Sequence, residues 1–277
     1  MERCSFFIKD KALFGSFPTQ ENIYFYEDMG VRHFIDLTCE GEKRIHNYET
    51  KYDYIKYPII DRRVPSDWKS FSKFIIKISD IIGKLEKDDK IYIHCKGGHG
   101  RSGVVVASLL CYLYDISPSE AITMTTLFHN NRTDMKEKWR LLGSPQTRSQ
   151  KHFVCNFFEP LYIYKNCGTY FTYNYNNDAN VSIKLDMIGK FKNVTSAINY
   201  MKDKHKNDWG NKRKEIMFNI LTHKFNQHED LKSSLINTGL RPITYQSENQ
   251  YWGINNDVGQ NITGKLIMKL RYMFYMS

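Results

Sequence analysis

Between positions 67 and 85 the chain carries apolar residues at Phe71, Phe74, Ile75, Ile78, Ile81, Ile82 and Leu85, among others. That three-and-four spacing predicts an amphipathic helix, with Ser66 or Asp67 at its cap. Before it, residues 5–8 and 13–16 read as strand and turn. Residues 20–29 read as a helix closed by Gly30, and residues 31–37 alternate as a strand. Residues 54–60 form another extended segment. After the helix comes a short β-like run at 90–93, then an unbroken apolar run at 104–113 that reads as a buried helix. Further helices are predicted from Pro118 and over 148–158. Strand, helix, strand, loop and buried helix in this order predict an α/β sheet flanked by helices.

The pattern changes after Pro160. Residues 161–185 are rich in Tyr and Asn and read as strands and loops. Helical patterns return at 196–206, 212–224 and 229–237, and a basic amphipathic helix is predicted at 263–273. The expected division is a first domain over 1–160 and a second, mainly helical one over 161–277, which suits a chain of 277 residues.

Composition narrows the class. With 41% hydrophobic and 25% charged residues, the chain is not a disordered one. Its longest apolar stretch, about ten residues, is too short to span a membrane. The start, Met1-Glu2-Arg3-Cys4, lacks a signal-peptide pattern. Cysteines stand at positions 4, 39, 95, 111, 155 and 167, without a CxxC pair or zinc-ligand spacing. The expectation is a reducing cytoplasmic compartment, with no metal and no cofactor. The net charge of +10 suits an anionic partner, or reflects a Lys- and Asn-rich composition alone.

Chemistry concentrates in His94-Cys95-Lys96-Gly97-Gly98-His99-Gly100-Arg101-Ser102-Gly103, between the predicted strand and the buried helix. A thiol is a poor nucleophile and a thiolate a good one. Backbone N–H groups from Lys96 to Ser102 can ring one anion, and the Arg101 fork can hold two of its oxygens. The same field favours the thiolate, and later the charge that builds during phosphoryl transfer. Gly97, Gly98 and Gly100 permit the close turn. Ser102 can hydrogen-bond the sulfur as it departs. His94 is expected to orient the loop through neighbouring backbone groups. Lys96 and His99 are expected to enlarge the positive potential at the mouth. A carboxylic acid must protonate the leaving oxygen. Asp61 follows a predicted strand on a turn-rich segment, and Asp67 is the alternative, which also fits a helix cap.

The loop resembles the signature of cysteine-dependent protein tyrosine and dual-specificity phosphatases, and the likeness extends over about residues 5–158. It implies a parallel-rich sheet flanked by helices, a phosphocysteine intermediate and no metal. The segment around Asp61 is similar to the general-acid loop of the compact members. The stretch 144–154 resembles the segment that ends their catalytic domain, where Gln150 either helps place the hydrolytic water or caps a helix. The substrate implied is a phosphorylated protein; an RNA 5′ end is the alternative.

Farther on, Lys224-Phe225, Leu235-Ile236-Asn237-Thr238-Gly239, Tyr251-Trp252-Gly253, the run 259–268 and Arg271 occur in that order. This resembles the NADAR/YbiA-like domain over about 165–275. The resemblance implies an ADP-ribose-like ligand, with Trp252, Asn261, Arg271 and Lys202 as pocket residues. The family's glutamate is replaced here, since Thr195 and Ser196 stand where it carries Glu and often His. A carboxylate suits N-glycosidic cleavage and threonine does not replace it, so a degenerate second domain is expected.

Overall fold

The computed structural model describes residues 2–43, 45–163, 177 and 179–276. The chain divides into two compact units, Met1–Phe158 and Glu159–Ser277.

In the first unit, five strands form one sheet: β1 (Cys4–Ile8), β2 (Ala12–Gly15), β3 (Val31–Asp36), β4 (Asp53–Lys56) and β5 (Lys90–His94). Their order is β1-β2-β5-β3-β4. The β1–β2 hairpin is antiparallel, and every other pairing is parallel. Central β5 is therefore covered on both faces, and Ile91, Tyr92 and Ile93 are fully buried. Six helices accompany the sheet: α1 (Gln20–Asp28), α2 (Trp68–Lys84), α3 (Arg101–Tyr114), α4 (Pro118–Asn130), α5 (Glu137–Leu142) and α6 (Arg148–Phe157).

Helix α2 follows its amphipathic pattern, except that Ile76 is buried and Ile81 is only half-buried. Its N-cap is Asp67, whose Oδ1 accepts the Lys69 amide at 2.9 Å. Helix α3 is buried at every position from Arg101 to Cys111 and packs against α2, α4, α6 and β2. A helix with no polar face at its start is a core helix. It begins directly after β5, so loop 95–100 lies outside the carboxyl ends of the parallel strands, with β2 and β3 on either side. Open α/β sheets bind ligands at such crevices. Helix α5 was not anticipated: its six residues are too few for a periodicity, and Lys136 at its N-cap makes no side-chain cap bond.

The second unit is mostly helical, with α7 (Val194–Lys204), α8 (Trp209–Gln227), α9 (Glu229–Asn237) and α10 (Ile262–Met276). β6 (Leu161–Ile163) pairs in parallel with β9 (Ile243–Tyr245). β7 (Ile183–Leu185) and β8 (Gly189–Phe191) form a hairpin, as do β10 (Ile254–Asn255) and β11 (Val258–Gly259). The core joins Ile183 and Val194 to Leu221 and Phe225 of α8 and to Ile267 and Leu270 of α10. Much of the Tyr- and Asn-rich stretch, including Cys167, lies outside the described residues. Among the described residues no helix is long and apolar enough to cross a membrane.

Candidate active site

Cys95 is buried at the end of β5, and its Sγ lies 3.5 Å from Ser102 Oγ. The loop is tied to the sheet edge by Phe17 N–H to Lys96 O at 3.2 Å. Gly98 has φ +72°, and a Cβ there would lie 2.4 Å from the Gly15 carbonyl carbon. Glycine is therefore required both by conformation and by space. Helix α3 starts without a side-chain cap, so its first amides stay open to an anion.

Arg101 is buried and held by residues outside the loop. Its Nη1 donates to Ile59 O at 2.9 Å, to Leu37 O at 3.4 Å and to Glu42 Oε1. Its Nη2 donates to Glu42 Oε2 and to Asp61 Oδ1, each at 3.0 Å. Burial alone would raise the Glu42 carboxyl. The Arg101 bonds, the Cys39 amide and the nearby charges of Arg101 and Lys96 outweigh it and hold Glu42 below the ordinary carboxylate value. Glu42 was not among the expected site residues, since one acid among several in residues 40–49 carries no spacing signal. Asp61 lies on the same guanidinium, and its side chain is 56% exposed. Asp67 caps α2 instead.

His94 does not act through backbone groups as expected. Its Nε2 meets Tyr48 Oη at 2.7 Å and its Nδ1 faces buried Asp36 at 3.7 Å. Burial pushes its pKa down to about 4, against the pull of Asp36, so the ring is neutral at pH 7. His99 adds no positive charge at the mouth. Burial, His129 and Arg132 push it down to about 3. Its Nδ1 lies 2.8 Å from His129 Nε2, and its ring stacks on Trp139.

A buried cation that the sequence did not single out, Arg132, fixes the loop from behind. It donates to Gly98 O at 2.7 Å, Phe14 O at 3.0 Å and Ser5 Oγ at 3.3 Å. Burial lowers its pKa only to about 10, so it stays charged. Gln150 is buried against Gly100. Its Oε1 accepts Thr147 N–H in a capping box at the start of α6, and its Nε2 donates to Arg63 O at 3.2 Å. Both ends of the amide are thus committed, and the side chain ties the segment carrying Asp61 to α6.

Residues 1–154 match the family model described as Swiss Army Knife protein, DSP-PTPase phosphatase domain. Residues 134–274 match the NADAR domain. The chain belongs to both families. Its first unit is a cysteine-dependent phosphatase for phosphate monoesters, and its second is a NADAR domain. Over 272 residues it is 37% identical to "Putative tyrosine phosphatase 197R" of Invertebrate iridescent virus 6, covering 96% of this chain and 89% of that one. "Putative tyrosine phosphatase 067L" of Invertebrate iridescent virus 3 is 37% identical over 160 residues, covering 57% of this chain and 66% of that one. The solved structure of the E. coli protein YbiA is 20% identical, covers 43% of this chain and 86% of that one, and superposes with a TM-score of 0.37.

In the NADAR unit two of the expected pocket residues, Asn261 and Arg271, make hydrogen bonds within the fold. Asn261 clamps β9, accepting Tyr245 N–H at 2.9 Å and donating to Ile243 O at 2.8 Å. Arg271 is buried and donates to Thr238 Oγ1 and to Arg241 O, each at 2.8 Å. Trp252 packs on the core, and Lys202 is exposed. Ser196 is spent in a capping box with Asn193, and Thr195 N–H donates to Asn177 O.

Lys224 is fully buried on α8, and burial pushes its ammonium down to about 7. The unfolded chain keeps an ordinary lysine and binds that proton up to roughly pH 10. Between those values the unfolded state binds more protons, so the NADAR unit gains stability as pH rises. The slope expected from this group is at most ~1.4 kcal/mol per pH unit. Urea titrations of the full chain at pH 7, 8 and 9 check it. Lys224→Met should remove the slope, and a flat wild-type profile would contradict the assignment.

Proposed function

We propose that the first unit hydrolyses phosphotyrosine in proteins through a phosphocysteine on Cys95. The observation that carries this reading is the buried Sγ beside Ser102 Oγ, in a loop that runs onto an uncapped helix start with Arg101 fixed at its edge. A relative described as a putative tyrosine phosphatase, 37% identical and covered over 89% of its length, supports the substrate.

In the first step Cys95 Sγ attacks phosphorus, the S–P bond forms and the P–O bond to the substrate breaks. Asp61 gives its proton to the leaving oxygen. In the second step water attacks phosphorus, Asp61 takes a proton from it, and the S–P bond breaks to release phosphate and the thiolate. Ser102 Oγ steadies the departing sulfur. Loop amides and Arg101 hold the phosphoryl oxygens throughout.

Acid quench of the protein during turnover of a phosphotyrosine peptide, followed by mass analysis, tests the reading. One phosphoryl group is expected on the fragment holding Cys95, and turnover without any such adduct sinks it. A second reading, removal of phosphate from an RNA 5′ end, rests on the net charge of +10. Running RNA 5′-triphosphate beside the peptide separates the two.

Asp61→Asn should lower kcat about 10²-fold on an alkyl phosphate, whose leaving group needs a proton. The loss should be much smaller on an aryl phosphate with an acidic leaving group. Equal losses on both would remove Asp61 as the proton donor.

A further inference from the structure

A cavity of about 550 Å³ lies within the NADAR unit, between the β7–β8 hairpin, the end of α7 and one side of α8. Buried Leu185 and Ile220, with half-buried Met201 and Ile216, give it an apolar wall. Exposed Asp186 and Glu215 stand at its rim. Lys202, Trp252, Asn261 and Arg271 do not line it, so it is separate from the pocket that the family resemblance implies. The wall is fixed in place. Gln227 of α8 accepts Lys184 N–H at 2.8 Å and donates to Lys184 O at 2.6 Å, which pins β7 to the helix. A pre-formed cavity of this size, mostly apolar with a few polar groups, suits a small organic ligand.

We propose that this cavity binds an organic cation, an ammonium or guanidinium group carried on an apolar body. Charge decides the sign. Among the described residues Asp186 and Glu215 form no ion pair, while Lys212 in the same lining is already held by Asp208 at 3.3 Å. Two carboxylates therefore stand unneutralised at the mouth of an apolar cavity, in a chain whose net charge is +10. A phosphate or pyrophosphate group would be repelled by both, so the cavity does not suit an ADP-ribose-like ligand. Nor does it suit a metal ion, since among the described residues no three His, Cys, Asp or Glu side chains are grouped to hold one. His205 and His223 add ring nitrogens that accept N–H donors when neutral. Met187, between the lining residues Asp186 and Ile188, is fully exposed and has φ +60°. The left-handed region is uncommon for a residue other than glycine. Here it leaves an apolar side chain in solvent beside the cavity, where the body of a ligand can cover it.

Tryptamine, tryptophol and indole-3-acetate share an indole body and end in an ammonium, a hydroxyl and a carboxylate. Calorimetric titration of each into the full chain tests the proposal. Tryptamine should bind about tenfold tighter than tryptophol, and the margin should shrink as salt is raised. Indole-3-acetate should bind weakest, although attraction to a net charge of +10 alone would favour it. Glu215→Gln and Asp186→Asn should each lower tryptamine affinity about threefold and leave tryptophol unchanged. Met201→Trp, which fills the cavity with its own indole, should abolish binding of both. Circular dichroism checks that this variant is folded, and the two amide variants, at exposed positions, test the charge argument without it. No saturable tryptamine binding at millimolar concentration, equal affinities for the three compounds, or tightest binding of indole-3-acetate overturns the proposal. So does tryptamine binding that survives Met201→Trp, or amide variants that leave tryptamine affinity unchanged or weaken tryptophol equally.

Discussion

Cys95→Ser is expected to lower turnover of a phosphotyrosine peptide by ~10⁴-fold or more while leaving the peptide bound. A serine hydroxyl stays protonated at neutral pH, and the side-chain partner of position 95 among the described residues is Ser102 rather than a base. His94 points to Tyr48 and Asp36, and Ser102 Oγ is itself a neutral hydroxyl. Binding draws on other groups: loop amides, the start of α3 and the Arg101 guanidinium. Serine is close in size to cysteine, so the buried site changes little in volume. Kinetics on the peptide and calorimetric titration of the same peptide into Cys95→Ser separate the two effects. Equal rates for the two proteins would end the phosphocysteine mechanism. Loss of binding together with turnover would mean that the sulfur, not the cradle, holds the phosphate.

What the sequence disclosed and what it concealed follow one division. Residues 67–85, 90–93 and 104–113 could be assigned because burial imposes a period, and those elements form α2, β5 and α3. The chemistry at 94–102 was legible because nucleophile, glycines, arginine and serine must be close in the chain to surround one anion. Glu42 and Arg132 act on the same loop from 59 and 34 residues away, as the separations of their bonds to Arg101 and Gly98 record. Contacts of that kind are made by strand order and leave no local pattern. His99 misled for a related reason. Its charge state depends on His129 and on burial under Trp139, both supplied by later segments. In the NADAR unit, Asn261 and Arg271 were chosen by likeness of order. Their side chains turn out to satisfy backbone carbonyls and a strand amide, a structural demand that would preserve the same residues whether or not a ligand binds.

Arg101→Lys should lower kcat by about 10³-fold and raise KM, although charge is conserved. The guanidinium performs two tasks at once. Nη1 is fixed by Ile59 O, Leu37 O and Glu42, and Nη2 by the second Glu42 oxygen and Asp61. Among the described residues Nε carries no hydrogen bond, which leaves that edge for phosphoryl oxygens. An arriving dianion also competes with Asp61 for Nη2 and frees the exposed acid to turn toward the leaving group. A lysine ammonium is a single point that cannot span Glu42, the Ile59 carbonyl and the phosphate together. It would either stay with Glu42 or leave that carboxylate short of its partner. Glu42→Gln isolates the first task, because its amide oxygen can still accept from Nη1 while the charge and one acceptor are lost. A fall of about tenfold in kcat is expected there, since only the alignment of Arg101 is loosened. Measuring kcat and KM separately for both variants checks the argument. If Arg101→Lys stays within tenfold of wild-type kcat, the bidentate hold on the phosphoryl group is not what lowers the barrier.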